Sequence, residues 1–169
     1  MMREHLCRMA RYNQWANQRL YNACEQLSAN AYHQPRPAFF GSIHGTLNHI
    51  LVGDLLWLAR IERKDAAALK LDDQLHDDLA ALKPARIDQD EHIVALTASY
   101  GDDDIAVSIT YRTVTDPQEM TAPLHLCWLH LFNHQTHHRG QIHDMLSQTE
   151  VAPPPLDLIF YLRALDQAA

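Results

Sequence analysis

Apolar residues recur every three or four positions along most of this chain, a spacing that predicts amphipathic α-helices. Ser42 directly precedes one such stretch and is well suited to cap the start of a helix. Pro84 lies inside another stretch, where its missing backbone N–H predicts a kink or a break. Residues 28–41, which include two prolines, are predicted to form a loop. The predicted helices cover residues 3–27, 42–63, 73–99, 123–149 and 156–165.

One segment follows a different pattern. Residues 105–115 alternate β-branched or apolar side chains with polar ones, which predicts a strand. Asp116 and Pro117 form a turn signal, and a short return strand is predicted at residues 120–121. Four long helices with short connections predict an all-α four-helix bundle, with this small β-hairpin before the last long helix and a short C-terminal helix. The 169 residues are expected to form a single domain, 1–169.

Composition and charge narrow the possible functions. The formal net charge is −7 and no run of Lys and Arg is present, which argues against nucleic acid or an anionic membrane surface as a partner. No apolar stretch reaches the roughly 20 residues of a membrane-spanning helix. Cys7, Cys24 and Cys127 are odd in number and form no CxxC pair. We therefore expect reduced thiols and a cytoplasmic protein.

Histidine is the compositional outlier, with 12 residues, of which six fall within residues 125–143 among apolar side chains. His134 and His138 are four residues apart on a predicted helix, so both imidazoles could reach one metal ion. Spacing alone does not separate this pair from His130 and His134. Gln135 stands where the HExxH helix of a metalloprotease has its glutamate, so a different chemistry is expected.

A third candidate ligand lies on the second long predicted helix. His49 stands there among apolar residues, and several buried imidazoles without partners would be costly. One divalent ion bound by three neutral imidazoles accounts for all of them and leaves a fourth position for water or substrate. Imidazole suits zinc and nickel equally, so either metal is expected.

Several segments resemble the DinB-like (YfiT/DinB) family of metal-dependent enzymes, and the resemblance extends over nearly the whole chain. It implies a four-helix bundle with a small hairpin. It also implies His49, His134 and His138 as the metal ligands, which selects this helical pair over the one that includes His130. Relatives include S-transferases and isomerases that use bacillithiol or mycothiol. The segments are residues 12–17 (YNQWAN), 41–50 (GSIHGTLNHI), 54–58 (DLLWL), 133–141 (NHQTHHRGQ) and 155–162 (PLDLIFYL).

The resulting hypothesis is a metal-dependent S-transferase that joins a low-molecular-weight thiol to an electrophilic substrate. A metal-dependent hydrolase is one alternative, and a non-catalytic dimeric metal-binding or stress-response protein is another. The sequence leaves open whether the protein is an enzyme at all. A homodimer is expected, because two-fold dimers are the commonest soluble oligomers.

Other polar residues near the histidines have simpler expected roles. His137 points about 100° away from His138 on a helix, which favours packing or a hydrogen bond. Arg139 is expected to pair with an acid of a neighbouring helix, with attraction of an anionic substrate as the alternative. Gln141 could orient a ligand or make a polar core contact, and Asp54 is expected to be structural or to support a ligand. Five histidines without a pattern are expected at the surface: His5, His33, His44, His76 and His92.

Overall fold

The computed structural model describes residues 2–65 and 68–168, and within these ranges the chain is built mainly from helices. Four of the helices are long, and the predicted all-α bundle with a small hairpin is confirmed. The elements in chain order are α1 (Met2–Cys24), α2 (Ala29–His33), α3 (Ile43–Ile61), α4 (Leu79–Ser99), a 3-10 turn (Asp104–Ala106), β1 (Ser108–Arg112), β2 (Glu119–Pro123), α5 (Leu124–Ser147) and α6 (Leu158–Ala168).

The long helices pack as two main pairs, α1 against α4 and α3 against α5, and α1 also contacts α5. Two apolar clusters fill the space between them. One cluster includes Leu47 and Ile142, and the other includes Ile93 and Trp128, which are all completely buried. Burial of each such side chain contributes about 1.5–3 kcal/mol. Within the described ranges, no helix has the length and apolar character needed to span a bilayer.

The hairpin confirms the strand prediction, although β1 is shorter than the predicted 105–115 and β2 is longer than the predicted 120–121. β1 and β2 are antiparallel, and Thr110 lies opposite Thr121. Ile105 belongs to the preceding 3-10 turn. The ring of Tyr111 on β1 lies 5.2 Å from the ring of Trp57 on α3. The hairpin therefore covers the C-terminal end of α3.

Helix α4 differs from its prediction in two ways. It begins at Leu79 and not at residue 73, and Asp78 caps it by accepting a hydrogen bond from the backbone N–H of Ala81 at 2.8 Å. It also continues unbroken through Pro84, which the pattern predicted to kink or split it. Pro84 deprives the carbonyl of Ala80 of its helical donor, but both residues are exposed and water can take the donor's place.

The residues before α4 are held in an irregular conformation by a buried amide. Asn48 of α3 donates to the carbonyl of His76 at 3.2 Å and accepts from the N–H of His76 at 3.1 Å. The side chain thus pairs with the backbone as a neighbouring strand would, and this competes with helix formation. The predicted loop over residues 28–41 contains the short helix α2, which Ser28 caps. The predicted cap of α3 at Ser42 is present.

A buried polar network joins the four long helices. Asp54 of α3 accepts hydrogen bonds from Arg86 of α4 and from Gln135 of α5. Asp90 of α4 accepts from Asn17 of α1 at 2.9 Å and pairs with Arg86 at 3.0 Å. Burial would lower the pKa of Arg86, but Asp90 and Asp54 raise it, so its guanidinium stays charged. Each of these side chains is almost completely buried.

Arg139 of α5 extends the network to more of α1. It donates to Asn13 and Asn17, and to Oε1 of Gln135 at 3.1 Å. Two buried arginines therefore balance two buried aspartates. Pairing mainly offsets the cost of removing these charges from water. We infer that the network acts chiefly by fixing how the four helices align.

Loss of one arginine from this network tests its role. We expect Arg86→Met to lower the free energy of unfolding by about 3–5 kcal/mol, because two buried carboxylates lose their partner. Urea denaturation measures this difference. Arg8→Met is the matched control, because Arg8 pairs with Glu4 at the surface and its loss should cost less than about 1 kcal/mol. Equally small losses in both variants would contradict the role of the network.

Candidate metal centre

His49 lies in the second turn of α3, where neighbouring groups fix its ring. Nδ1 of His49 lies 2.7 Å from the carbonyl oxygen of Leu71, so Nδ1 must carry the proton that is donated. The ring of Phe40 stacks on the imidazole, with centroids 3.7 Å apart and an interplanar angle of 17°. The tautomer that these contacts select leaves the lone pair of Nε2 available to a metal ion.

His134 and His138 project from the same face of α5, with ring centroids 4.4 Å apart. Nδ1 of His138 donates to Oε1 of Gln141 at 2.8 Å. The amide nitrogen of Gln141 lies 3.1 Å from Nε2 of His137, which fixes which way the amide points. Gln141 therefore orients His138, and His137 supports Gln141 from outside the cluster.

The three histidines form a compact cluster that could hold a metal ion. Each of His49, His134 and His138 offers a ring nitrogen, and these atoms all lie within 4.8 Å of one another. Nε2 of His49 lies 3.1 Å from Nε2 of His134. Two nitrogens of a tetrahedral zinc site are separated by about 3.3 Å, given Zn–N bonds of about 2.0–2.1 Å. The donor set and its spacing therefore fit a divalent ion without a large rearrangement.

Burial keeps these imidazoles neutral. Desolvation is the largest cause at each ring, and it lowers the pKa of His134 to about 3 and the pKa of His138 to about 4. Neighbouring imidazoles contribute to both of these values, and the hydrogen bond to Gln141 partly opposes the lowering at His138. Desolvation also lowers the pKa of His49, although the bond to the Leu71 carbonyl opposes this. Neutral imidazole is the form that ligates metals.

Gly53 makes room for the cluster. It lies one turn after His49 on α3, and a Cβ atom at this position would stand 2.8 Å from Cε1 of His134. Such a distance is too short for two carbon atoms in van der Waals contact. The absence of a side chain at Gly53 thus allows α5 to bring His134 against α3.

The cluster faces a cavity of about 650 Å³ between α3, α5 and the hairpin. Its lining also includes Trp57, Arg60, Tyr111 and His130. Ring centroids of Trp57 and His130 lie 4.5 Å apart. The volume and the aromatic lining suit a small organic molecule.

Sequence spacing allowed two histidine pairs, His130 with His134 and His134 with His138, and these pairs occupy different places in the structure. His134 and His138 join His49 in the cluster, whereas His130 stands outside it. The ring of His130 lies 5.9 Å from that of His134 and lines the cavity. Within residues 2–65 and 68–168, no cysteine or carboxylate completes a fourth corner of the cluster.

Three other expectations have clear outcomes. Asp54 belongs to the buried network and has the structural role expected of it. Arg139 is also structural, but the expected pairing with an acid of a neighbouring helix was wrong, because its partners are the amides of Asn13, Asn17 and Gln135. His44 was expected at the surface, and this was wrong. It is buried, with Nδ1 3.3 Å from the hydroxyl of Tyr32 and Nε2 3.2 Å from Oε1 of Gln74. The unpredicted helix α2 carries Tyr32 and covers His44.

Three residues that position the histidine cluster were not found from the sequence. Leu71 acts through its carbonyl group and Phe40 through ring stacking, and both lie in segments without a helical pattern. Gly53 did carry a signal, since a glycine inside an apolar helix often marks a close approach of another element. Its position one turn after His49 could have indicated the packing of His134.

A helical bundle with three clustered histidines facing a cavity defines a class of protein that could hold a metal ion between its helices. The chain belongs to the DinB family, whose sequence model matches residues 1–168. It is similar to "Protein DinB" of Bacillus subtilis (strain 168), with 28% identity over 170 residues that cover 95% of each chain.

The close approach at Gly53 leads to a structural prediction. We expect Gly53→Ala to displace the His134 imidazole and break its 3.1 Å contact with His49. We also expect it to destabilise the fold by about 1–3 kcal/mol, as overpacking usually does. A crystal structure of the variant and urea denaturation measure the two effects. Gly140→Ala is the control, because a Cβ there meets nothing within 4 Å. An undisturbed His134 ring in Gly53→Ala would contradict the packing argument.

Proposed function

We propose that this protein is a metal-dependent S-transferase that acts with a low-molecular-weight thiol. The observation that carries the proposal is the cluster of three neutral imidazoles facing a cavity of about 650 Å³. Within the described residues the cluster has no fourth protein ligand. Three protein ligands with an open position are typical of catalytic metal sites, whereas structural sites usually have four.

In this proposal His49, His134 and His138 hold one divalent ion, zinc or nickel. The Leu71 carbonyl and the Gln141 amide each accept the Nδ1 proton of a ligand. Such acceptors fix the tautomer and the ring orientation of a ligating histidine and strengthen it as a donor. Imidazole nitrogen suits both metals, so the donor set does not choose between them.

Three neutral ligands favour an anion in the fourth position, since they leave the charge of a dication uncompensated. A divalent ion bound there would supply a Lewis acid that lowers the pKa of an incoming thiol. In the transfer, the thiol sulfur forms a bond to an electrophilic carbon of the second substrate. The leaving group departs with the electron pair of the broken bond, and the thiol proton passes to solvent.

The reacting thiol is expected to come from outside the chain. Cys24 and Cys127 are buried in the apolar clusters, and burial raises the pKa of Cys24 to about 12 and raises that of Cys127. Cys7 lies on α1, with its Sγ 3.4 Å from the carbonyl of Thr97. None of the three lines the cavity. Reduced cysteines also support the cytoplasmic location that we propose.

A hydrolase remains the alternative. It would need a general base beside an activated water. Gln135 takes the position of the metalloprotease glutamate, but its amide is turned into the buried network. Asp116 is the carboxylate among the residues that line the cavity, and it lies on the hairpin loop. The metal-activated thiol therefore has the better support. A non-catalytic dimeric metal-binding protein would require that neither reaction occurs.

Metal analysis tests the proposed ligands. We expect the native protein to bind one equivalent of Zn²⁺ or Ni²⁺, and His49→Ala, His134→Ala or His138→Ala to weaken binding more than about 100-fold. Gln141→Leu should weaken it about 10–100-fold, as loss of a supporting hydrogen bond does. Competition with a chelator measures these affinities. His143→Ala is the control on the same helix. Full affinity in the ligand variants would overturn the assignment.

An activity assay tests the reaction class. Metal-loaded protein is mixed with an aryl halide and with glutathione, bacillithiol or mycothiol in turn. We expect thioether formation with at least one thiol, and a loss of about 100-fold or more in His49→Ala, because the Lewis acid contributes several kcal/mol. A rate that is unchanged without metal would contradict the proposal. Ester or amide cleavage without any thiol would support the hydrolase.

A homodimer is also part of the proposal. Two-fold dimers are common among soluble proteins of this size. Sedimentation equilibrium at micromolar protein is expected to give a species of twice 19.4 kDa. A mass of one chain across the concentration range would contradict the dimer.

A further inference from the structure

The guanidinium of Arg60 lies in the same cavity as the histidine cluster. It stands over the ring of Trp57, at 4.6 Å from the centroid, and 5.0 Å from the centroid of Tyr111. Nη2 donates to the carbonyl of Arg112 on β1 at 3.1 Å. Two aromatic rings and a backbone carbonyl therefore hold the guanidinium in place at the cavity wall.

The charge of Arg60 has no anionic partner in the described part of the chain. No carboxylate of residues 2–65 and 68–168 lies within 4.0 Å of it. Asp116 also lines the cavity, but its Oδ2 accepts from the side chain of Gln118. Desolvation lowers the pKa of Arg60, because no nearby negative charge fully offsets the cost of burying its guanidinium. A half-buried cation that lacks a partner is a ready site for an anion.

The geometry of α3 sets the distance between this cation and the histidine cluster. Arg60 follows His49 by eleven residues, close to three full turns, so the two positions share a face of the helix. Their separation along the axis is about 16 Å at about 1.5 Å per residue. The guanidinium contacts Trp57, Trp57 contacts His130, and the ring of His130 lies 5.9 Å from that of His134, so the gap that a ligand must span is shorter than this axial distance.

We infer that Arg60 binds a carboxylate of the thiol substrate. The substrate class is an extended thiol of tripeptide size, whose carboxylate lies far from its sulfur. This inference rests on the proposed function, because the sulfur is taken to lie at the histidine cluster. Cysteine is too short to reach both ends. Glutathione and bacillithiol carry carboxylates, whereas mycothiol carries none, so the inference favours the first two.

A matched pair of probes tests this inference. Co²⁺-loaded protein is titrated with glutathione and with glutathione diethyl ester, in which both carboxylates are masked. Visible absorption follows sulfur binding to cobalt and does not depend on turnover. Arg60→Gln removes the cation, and Arg60→Lys keeps the positive charge but lacks the planar pair of N–H donors of a guanidinium. Arg63→Gln is the control, because it removes a nearby exposed charge that lies outside the cavity.

We expect native protein and Arg63→Gln to bind glutathione about tenfold more tightly than the diester, the effect of one charged hydrogen-bonded pair. The preference should vanish in Arg60→Gln and persist in part in Arg60→Lys. Equal affinity for both probes in native protein, or an unchanged preference in Arg60→Gln, would overturn the inference and leave the proposed function standing.

The proposed function fails separately if neither probe alters the cobalt spectrum. Calorimetry with metal-free protein then tests Arg60 alone, using S-methylglutathione and its diester. A preference for the acid that is lost in Arg60→Gln supports the carboxylate site without any role for the sulfur. Equal binding of the acid and the ester, or no binding of either, overturns it.

Discussion

The hydrogen bond between Asp54 and Gln135 sets the position of the candidate metal centre, because each partner is close in sequence to a clustered histidine. Gln135 directly follows His134 on α5, and Asp54 lies five residues after His49 on α3. Arg86 of α4 holds the same carboxylate. A slip of one helix by a single turn would move a ligand by about 5.4 Å and break the cluster.

Two faces of α5 thus serve two purposes. His134 and His138 face the cavity, while Gln135 and Arg139 face the network. An amide at position 135 can donate to Asp54 and accept from Arg139. A glutamate there would add a third buried acid, with no donor to offer Asp54. Helix packing therefore explains why position 135 carries glutamine and not the glutamate of a metalloprotease.

Hydrophobic periodicity was enough to predict the long helices and the hairpin, because burial of apolar side chains decides both. It also indicated the three histidines, because burial of an imidazole on an apolar helix face is costly unless the ring has a partner. The choice of His138 over His130 as the partner of His134 needed the family resemblance, because both spacings are four residues.

Contacts between distant segments could not be predicted. The start of α4 depends on the Asn48 amide pairing with the backbone of His76. Burial of His44 depends on α2, a helix of five residues without a periodic pattern. The proton acceptor of His49 is the main-chain carbonyl of Leu71. Every residue has such a carbonyl, so the residue type at position 71 does not indicate this contact.

X-ray absorption spectroscopy of the Zn²⁺- or Ni²⁺-loaded protein tests the central claim most directly, because it reports the atoms bound to the metal. The account predicts three imidazole nitrogens with one further light atom, and a sulfur scatterer at about 2.3 Å with at least one of glutathione, bacillithiol and mycothiol. Fewer than three imidazoles, or a first shell that gains no sulfur from any of the three thiols, would contradict an open three-histidine centre that activates a thiol.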